Sequence, residues 1–131
     1  MSAFLDSNVL LYAVSSDATK APIAATLVED GGTISVQVLN EFANIAFKKH
    51  RRSWIDIGHA LRVLRAQLRV QALTIETHEF GLQIAERYRF SFYDSLLVAA
   101  ALQAGCTTFY SEDLHDGQMI ERRLTIRNPF V

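Results

Sequence analysis

Two rhythms of apolar residues alternate along this chain. Short β-branched or aromatic runs are separated by longer stretches in which apolar positions recur three and four apart, the pattern of strands alternating with helices. Ser2 to Leu5 reads as a first strand that runs into Asp6 and a helix from about Ser7 to Val14. Ala21 to Glu29 predicts a second helix, with Pro22 tolerated in its first turn, and Gly31 and Gly32 end it. Thr33 to Val36 is a β-branched strand, followed by a helix from about Gln37 to Lys49. Beyond Ser53, a good N-cap residue, the positions Trp54, Ile57, Leu61, Leu64 and Leu68 repeat at helical spacing and predict one buried face. Val70 to Leu73 reads as a third strand, and Thr77 to Tyr88 as a helix with Phe80, Ile84 and Tyr88 on one stripe. Tyr93 to Ala104 is almost wholly apolar and rich in alanine, as expected of a central helix packed on several sides. Thr107 to Tyr110 and Leu124 to Ile126 complete the strands. The expected class is α/β: a three-layer α/β/α sandwich around a mainly parallel sheet.

A chain of 131 residues, half of them hydrophobic, suits one domain spanning residues 1–131 with a single core. No repeat, linker or low-complexity segment divides it. The net charge of -1 provides no global basic field for nucleic acid, although a local patch can still serve. Cys106 is the only cysteine, which excludes an intramolecular disulfide and a thiolate zinc cluster and suits a small buried thiol. His50, His59, His78 and His115 show no metal-ligand spacing. With no secretory signal at its start and no apolar run of the roughly 18–20 residues that span a bilayer, the chain is expected in the cytoplasm, away from membranes.

Against that apolar background four acids stand out: Asp6 in AFLDSNVLLYA, Glu41 in VQVLNEFANIAF, Asp94 in FSFYDSLLVAAALQA and Asp113 in TTFYSEDLHDG. Carboxylates on buried elements are costly unless their charge is met. In parallel sheets, sites form beyond the carboxyl ends of the strands, where Asp6 and Asp113 both fall. Glu41 lies one turn into the helix after the second strand, and Asp94 opens the apolar helix. Each has a plain reading too: Asp94 as a helix cap, Glu41 as a solvated helical residue, Asp113 as a turn residue. Convergence on magnesium or manganese explains all four at once, because hard oxygen ligands suit those ions. Such a centre activates water against a phosphoryl group, and four acids leave room for two ions. Ser7, Asn8 and Ser111 are short polar neighbours able to orient a carboxylate or hold a water. Asp116 is a further candidate ligand, equally readable as a loop acid before Gly117.

The runs FLDSNVLLYA, NEF at Asn40 to Phe42, FYDSLLVAAA and YSEDLHDG, in this order, resemble the PIN-domain ribonucleases, and within them the VapC-type toxins of toxin–antitoxin pairs. The resemblance implies a magnesium- or manganese-dependent endoribonuclease whose four acids fall on Asp6, Glu41, Asp94 and Asp113. It also matches Ser111 to the small hydroxyl residue near the last acid, Asn8 to the amide after the first, and Asp116 to a position that is acidic in only some members. It further implies a homodimer, silenced by a cognate antitoxin whose tail lies across the groove, and cleavage that leaves a 5′-phosphate and a 3′-hydroxyl.

RNA is repelled by acids alone. The segment FKKHRRSW offers Lys48, Lys49, Arg51 and Arg52 as phosphate contacts, or equally as cations complementing a helix C-terminus. Arg87 and Arg89 fit surface salt bridges with Glu86 or similar acids better than RNA contacts. Two rivals remain. One is a non-catalytic PIN-like module that binds RNA or protein. The other is a haloacid-dehalogenase-like phosphatase with Asp6 as nucleophile, which wants an acid at position 8 and a late lysine, neither of which is present.

Overall fold

The computed structural model describes residues 2–131. The elements in chain order are β1 (Ala3–Leu5), α1 (Ser7–Ala13), α2 (Lys20–Glu29), β2 (Thr33–Ser35), α3 (Val36–Lys48), α4 (Trp54–Gln67), β3 (Arg69–Gln71), α5 (Ile75–Tyr88), α6 (Phe92–Gln103), β4 (Thr108–Tyr110), β5 (Met119–Ile120) and β6 (Leu124–Arg127). The six strands form one sheet in the order β3-β2-β1-β4-β6-β5. Every pairing is parallel except β5 with β6. From β1 the chain builds outward to β2 and β3 on one side, then to β4 and β6 on the other. That reversal opens a crevice at the carboxyl end of β1, where α/β sheets place their sites.

Phe4 of β1 and Phe109 of β4 are register partners, and their rings stack at 5.2 Å in the middle of the core. Parallel strands buried on both faces need such continuous apolar sequence. Every residue of α6 from Ser95 to Leu102 is buried, as its all-round apolar sequence predicts. Its alanines and Gly81 of α5 let the two helices approach: a Cβ on Gly81 would lie 2.8 Å from Leu96 Cδ2. Among the described residues no helix is long and apolar enough to cross a membrane.

Several element boundaries differ from the sequence-based expectation. α5 begins at Ile75 rather than Thr77, because Thr74 is the N-cap and shares a reciprocal capping box with Thr77. Thr77 is fully buried and its hydroxyl also donates to Gln103 Oε1 of α6 at 2.7 Å. Thr77→Val keeps the volume but removes the hydrogen bonds to Gln103 and to the Thr74 N–H, both on exposed residues, so a loss of about 0.5–1.5 kcal/mol is expected in urea unfolding. β3 is Arg69–Gln71, one residue before the expected run. β5 was not expected at all. It is two residues long, and its turn to β6 holds Glu121 and Arg122 at φ 51 and 57 with no glycine or asparagine to announce it. Arg87 Nη1 grips both Glu121 oxygens at 2.6 Å, and the Tyr88 hydroxyl donates to one of them at 2.8 Å. Arg87 therefore serves a salt bridge, as its plain reading holds, with Glu121 as partner instead of Glu86.

Trp54 is a correction of a different kind. Ile57, Leu64 and Leu68 are buried as the α4 spacing predicts, but Trp54 is 60% exposed. It sits in the first turn, beyond the body of the core. There it stacks on Phe47 of α3 at 4.0 Å, with the ring planes 6° apart.

Candidate active site

Asp6 follows β1 and caps α1: its carboxylate accepts the Ser7 N–H at 2.6 Å. Capping explains why an acid is tolerated there, since the first N–H groups of a helix lack internal partners. The cap also places the carboxylate in the crevice, 3% exposed. Ser111, just past β4 and fully buried, donates its hydroxyl to Asp6 Oδ2 at 2.7 Å.

Two short polar side chains tie Glu41 and Asp113 to this one. Ser7 Oγ lies 3.3 Å from Asp6 Oδ1 and 3.1 Å from Glu41 Oε1, and its single proton can serve only one at a time. Asn8 Nδ2 lies 3.4 Å from Asp6 Oδ2, 3.3 Å from Ser111 Oγ and 3.1 Å from Asp113 Oδ2. Asn8 Oδ1 in turn accepts the Glu112 N–H, fixing the loop that carries Asp113. Gln37, nearly buried one turn before Glu41 on α3, donates to Glu41 Oε2 at 3.3 Å. Gln37 was not singled out from the sequence; its i, i+4 relation to Glu41 is the one signal that points to it.

Asp94 lies in the first turn of α6 and is not its cap. Ser91 caps the helix, its hydroxyl accepting the Asp94 N–H at 3.2 Å. The carboxylate of Asp94 in turn takes a side-chain hydrogen bond from Ser91 and feels the charge of Asp113.

The electrostatics show how these groups feel one another. Burial, reinforced by the charges of Glu41 and Asp94, pushes the Asp6 carboxyl up to about 7, despite hydrogen bonds from Ser111 and Ser7. Glu41 is raised by burial and by Asp94 and Asp113, and Asp94 by burial and by Asp113. Four carboxylates thus share one field. The two salt bridges found among the described residues, Lys20–Glu112 and Arg87–Glu121, include none of them.

Asp116 stands apart. It is exposed and its carboxylate accepts the Asn128 N–H at 2.9 Å, clamping the C-terminal segment. Lys48, Lys49, Arg51 and Arg52 are all exposed around the α3–α4 turn. A groove of about 870 Å³ is lined by Asn8 and Asp113 from the acidic group and by Lys49, His50 and Arg52 from the basic turn, with Phe42 and Ile45 among its apolar walls.

Whether these residues suit a divalent cation has two sides. All the donors are hard oxygens, and no salt bridge among the described residues meets their negative charge, which fits magnesium or manganese. Yet among the described residues no three or more His, Cys, Asp or Glu side chains already stand in an arrangement that could hold a metal ion. Ser7 and Asn8 occupy the space between the carboxylates that they bridge. Chemically the set fits; the arms would have to draw in.

The PIN domain family model matches residues 3–115. A toxin–antitoxin complex from Klebsiella pneumoniae is similar in structure, with a TM-score of 0.73, 17% identity and 98% of each chain covered. The sarcin–ricin loop cleaving toxin VapC20 of Mycobacterium tuberculosis gives 0.70 at 19% identity, over 86% of this chain and 92% of that one. VapBC2 of Rickettsia felis, bound to a DNA fragment from its promoter, gives 0.72 at 16% identity over 98% of each chain. No curated protein matches the sequence. At these identities the structural likeness carries the fold: a mainly parallel sheet between layers of helices.

Proposed function

This chain belongs to the PIN-domain family, and from that premise we propose that it is a metal-dependent endoribonuclease, the toxin of a toxin–antitoxin pair. One observation carries the reading: Asp6, Glu41, Asp94 and Asp113 gather at the sheet's switch point, and no salt bridge among the described residues neutralises them. Asp6 is buried, Glu41 and Asp94 are half-buried and Asp113 is exposed. Like charges gathered around a buried carboxylate are costly to fold, and sites that bear such a cost are commonly catalytic.

In this proposal the four carboxylates hold one or two magnesium or manganese ions. When bound, such an ion neutralises phosphate charge and lowers the pKa of water. The protein's own part is positioning. Ser111 and the Ser7 N–H fix Asp6, Gln37 and Ser7 fix Glu41, and Asn8 links Asp6 to Asp113. Lys49 and Arg52 line the same groove and supply positive charge for the phosphates on either side of the cut. No side-chain base is required. Because Asn8 organises two acids at once, Asn8→Ala is expected to lower the cleavage rate about 10–100-fold, the range for partners that orient metal ligands. Titrating magnesium or manganese against the rate checks whether apparent metal affinity falls in step.

Toxin–antitoxin complexes among the similar structures support a cognate antitoxin as partner, with family kinship adding homodimerisation. A second reading, a PIN-like module that binds without cutting, draws on the spread of the acids. Incubation of the purified protein with total RNA, with magnesium, with manganese and with EDTA, separates the two. Metal-dependent cleavage is expected; intact RNA in all three removes the nuclease reading. Mapping the cut sites then identifies the RNA.

A further inference from the structure

We propose that the stacked Phe47 and Trp54 rings are a platform for an unpaired RNA base, beside the groove that leads to the acids; this rests on the ribonuclease reading for its ligand. Both rings are largely outside the core, Phe47 42% and Trp54 60% exposed. They nonetheless stack on each other, nearly parallel at 4.0 Å. Two features fix them there. Arg51 adopts the left-handed backbone, φ 55, in the tight turn between α3 and α4. Ser53 caps α4 with its hydroxyl accepting the Asp56 N–H, which sets Trp54 at the first helical position.

Charge decides the occupant. From Phe47 to Asp56 the chain carries Lys48, Lys49, Arg51 and Arg52 against the single acid Asp56. None of the four cations enters an ion pair among the described residues. Exposed aromatic rings within a ring of unpaired cations match a nucleotide strand on both counts, base face on ring and phosphate on cation. Duplex bases hide their faces in the stack, so the platform selects a loop or a single strand. Lys49 and Arg52 also line the groove that Asn8 and Asp113 enter, so a strand stacked here has a continuous path to the acids. A partner protein would gain from the rings but has less use for so much unpaired positive charge.

Trp54 is the only tryptophan, so its fluorescence reports the platform directly. The full chain is titrated in EDTA with a short single-stranded oligoribonucleotide, its duplex, and an abasic strand with the same phosphates. Saturable quenching by the single strand is expected, with weaker binding and little quenching by the other two. Read by the anisotropy of an end-labelled strand, because these variants lack the fluorophore, Trp54→Ala is expected to weaken single-strand binding on the order of 10-fold, while Trp54→Phe retains most of it; thermal melts check that both variants remain folded. Equal binding by the abasic strand, or unchanged affinity in Trp54→Ala, overturns the platform and leaves the ring pair to a protein partner. The experiment needs no cleavage. A protein that is quenched but cuts with neither magnesium nor manganese refutes the proposed activity alone, and one that cuts without quenching refutes the platform alone.

Discussion

An Asp94→Asn protein is expected to fold normally and not to cut RNA. The amide has the shape of the carboxylate, and the cap of α6 is Ser91, which the change leaves in place. Losing an acid from the first turn forfeits about 0.3–1 kcal/mol of helix-dipole stabilisation. Relief of the repulsion that raises the Asp94 pKa, set by burial and by Asp113, acts in the opposite direction. Stability should therefore change by less than about 1 kcal/mol. Activity should not survive. Changing a residue that merely orients a metal ligand costs about 10–100-fold, and a direct ligand should exceed that range. Cleavage by the variant and the native chain is compared at equal magnesium, alongside thermal melts. A variant that still cuts at a comparable metal-dependent rate removes Asp94 from the site.

The metal-free protein should melt higher at pH 5 than at pH 8. Burial, with Glu41 and Asp94, holds the folded-state Asp6 carboxyl at about 7 against an ordinary value of 3.8. Between those two values the folded chain binds more protons than the unfolded chain, so stability falls as pH rises. The contribution is whole below 3.8 and lost as pH passes through about 7. From pH 5 to pH 8 the loss is roughly 3 kcal/mol at about 1.4 kcal/mol per pH unit, or on the order of 10 °C in Tm for a domain of this size. Glu41 and Asp94 shift in the same direction and steepen the fall. Asp6→Asn should flatten the profile, stabilise the metal-free protein at pH 8, and abolish cleavage. Magnesium or manganese should raise the native Tm more at pH 8 than at pH 5, because protons and cations compete for the same carboxylates. A native profile that is flat across this range, with no cation effect, would contradict the idea of a strained acidic group.

Apart from β5, the order of strands and helices and the α/β class were legible in the sequence, because period-2 and period-3.6 patterns are local properties of the chain. So were the four acids as candidates, since each interrupts an apolar run. Other features needed the folded molecule. Helical spacing set Trp54 in line with Ile57 and Leu64, but only the packing of α3 on α4 shows that the first turn overhangs the core. The β5 turn has no glycine or asparagine to signal it, and its left-handed residues are held by Arg87 and Tyr88 from a distant helix. Ser91 rather than Asp94 proved to be the cap.

What the sequence determined by itself is therefore the set of elements and the short list of residues with chemistry. The tertiary structure decided how those residues meet: Asn8 reaching from α1 to Ser111 and Asp113, about 100 positions along the chain, and Ser7 spanning the space between Asp6 and Glu41. Such contacts depend on the side-by-side pairing of β1 with β4 and β2, a long-range outcome of burying both faces of the sheet. No local pattern of residues encodes it.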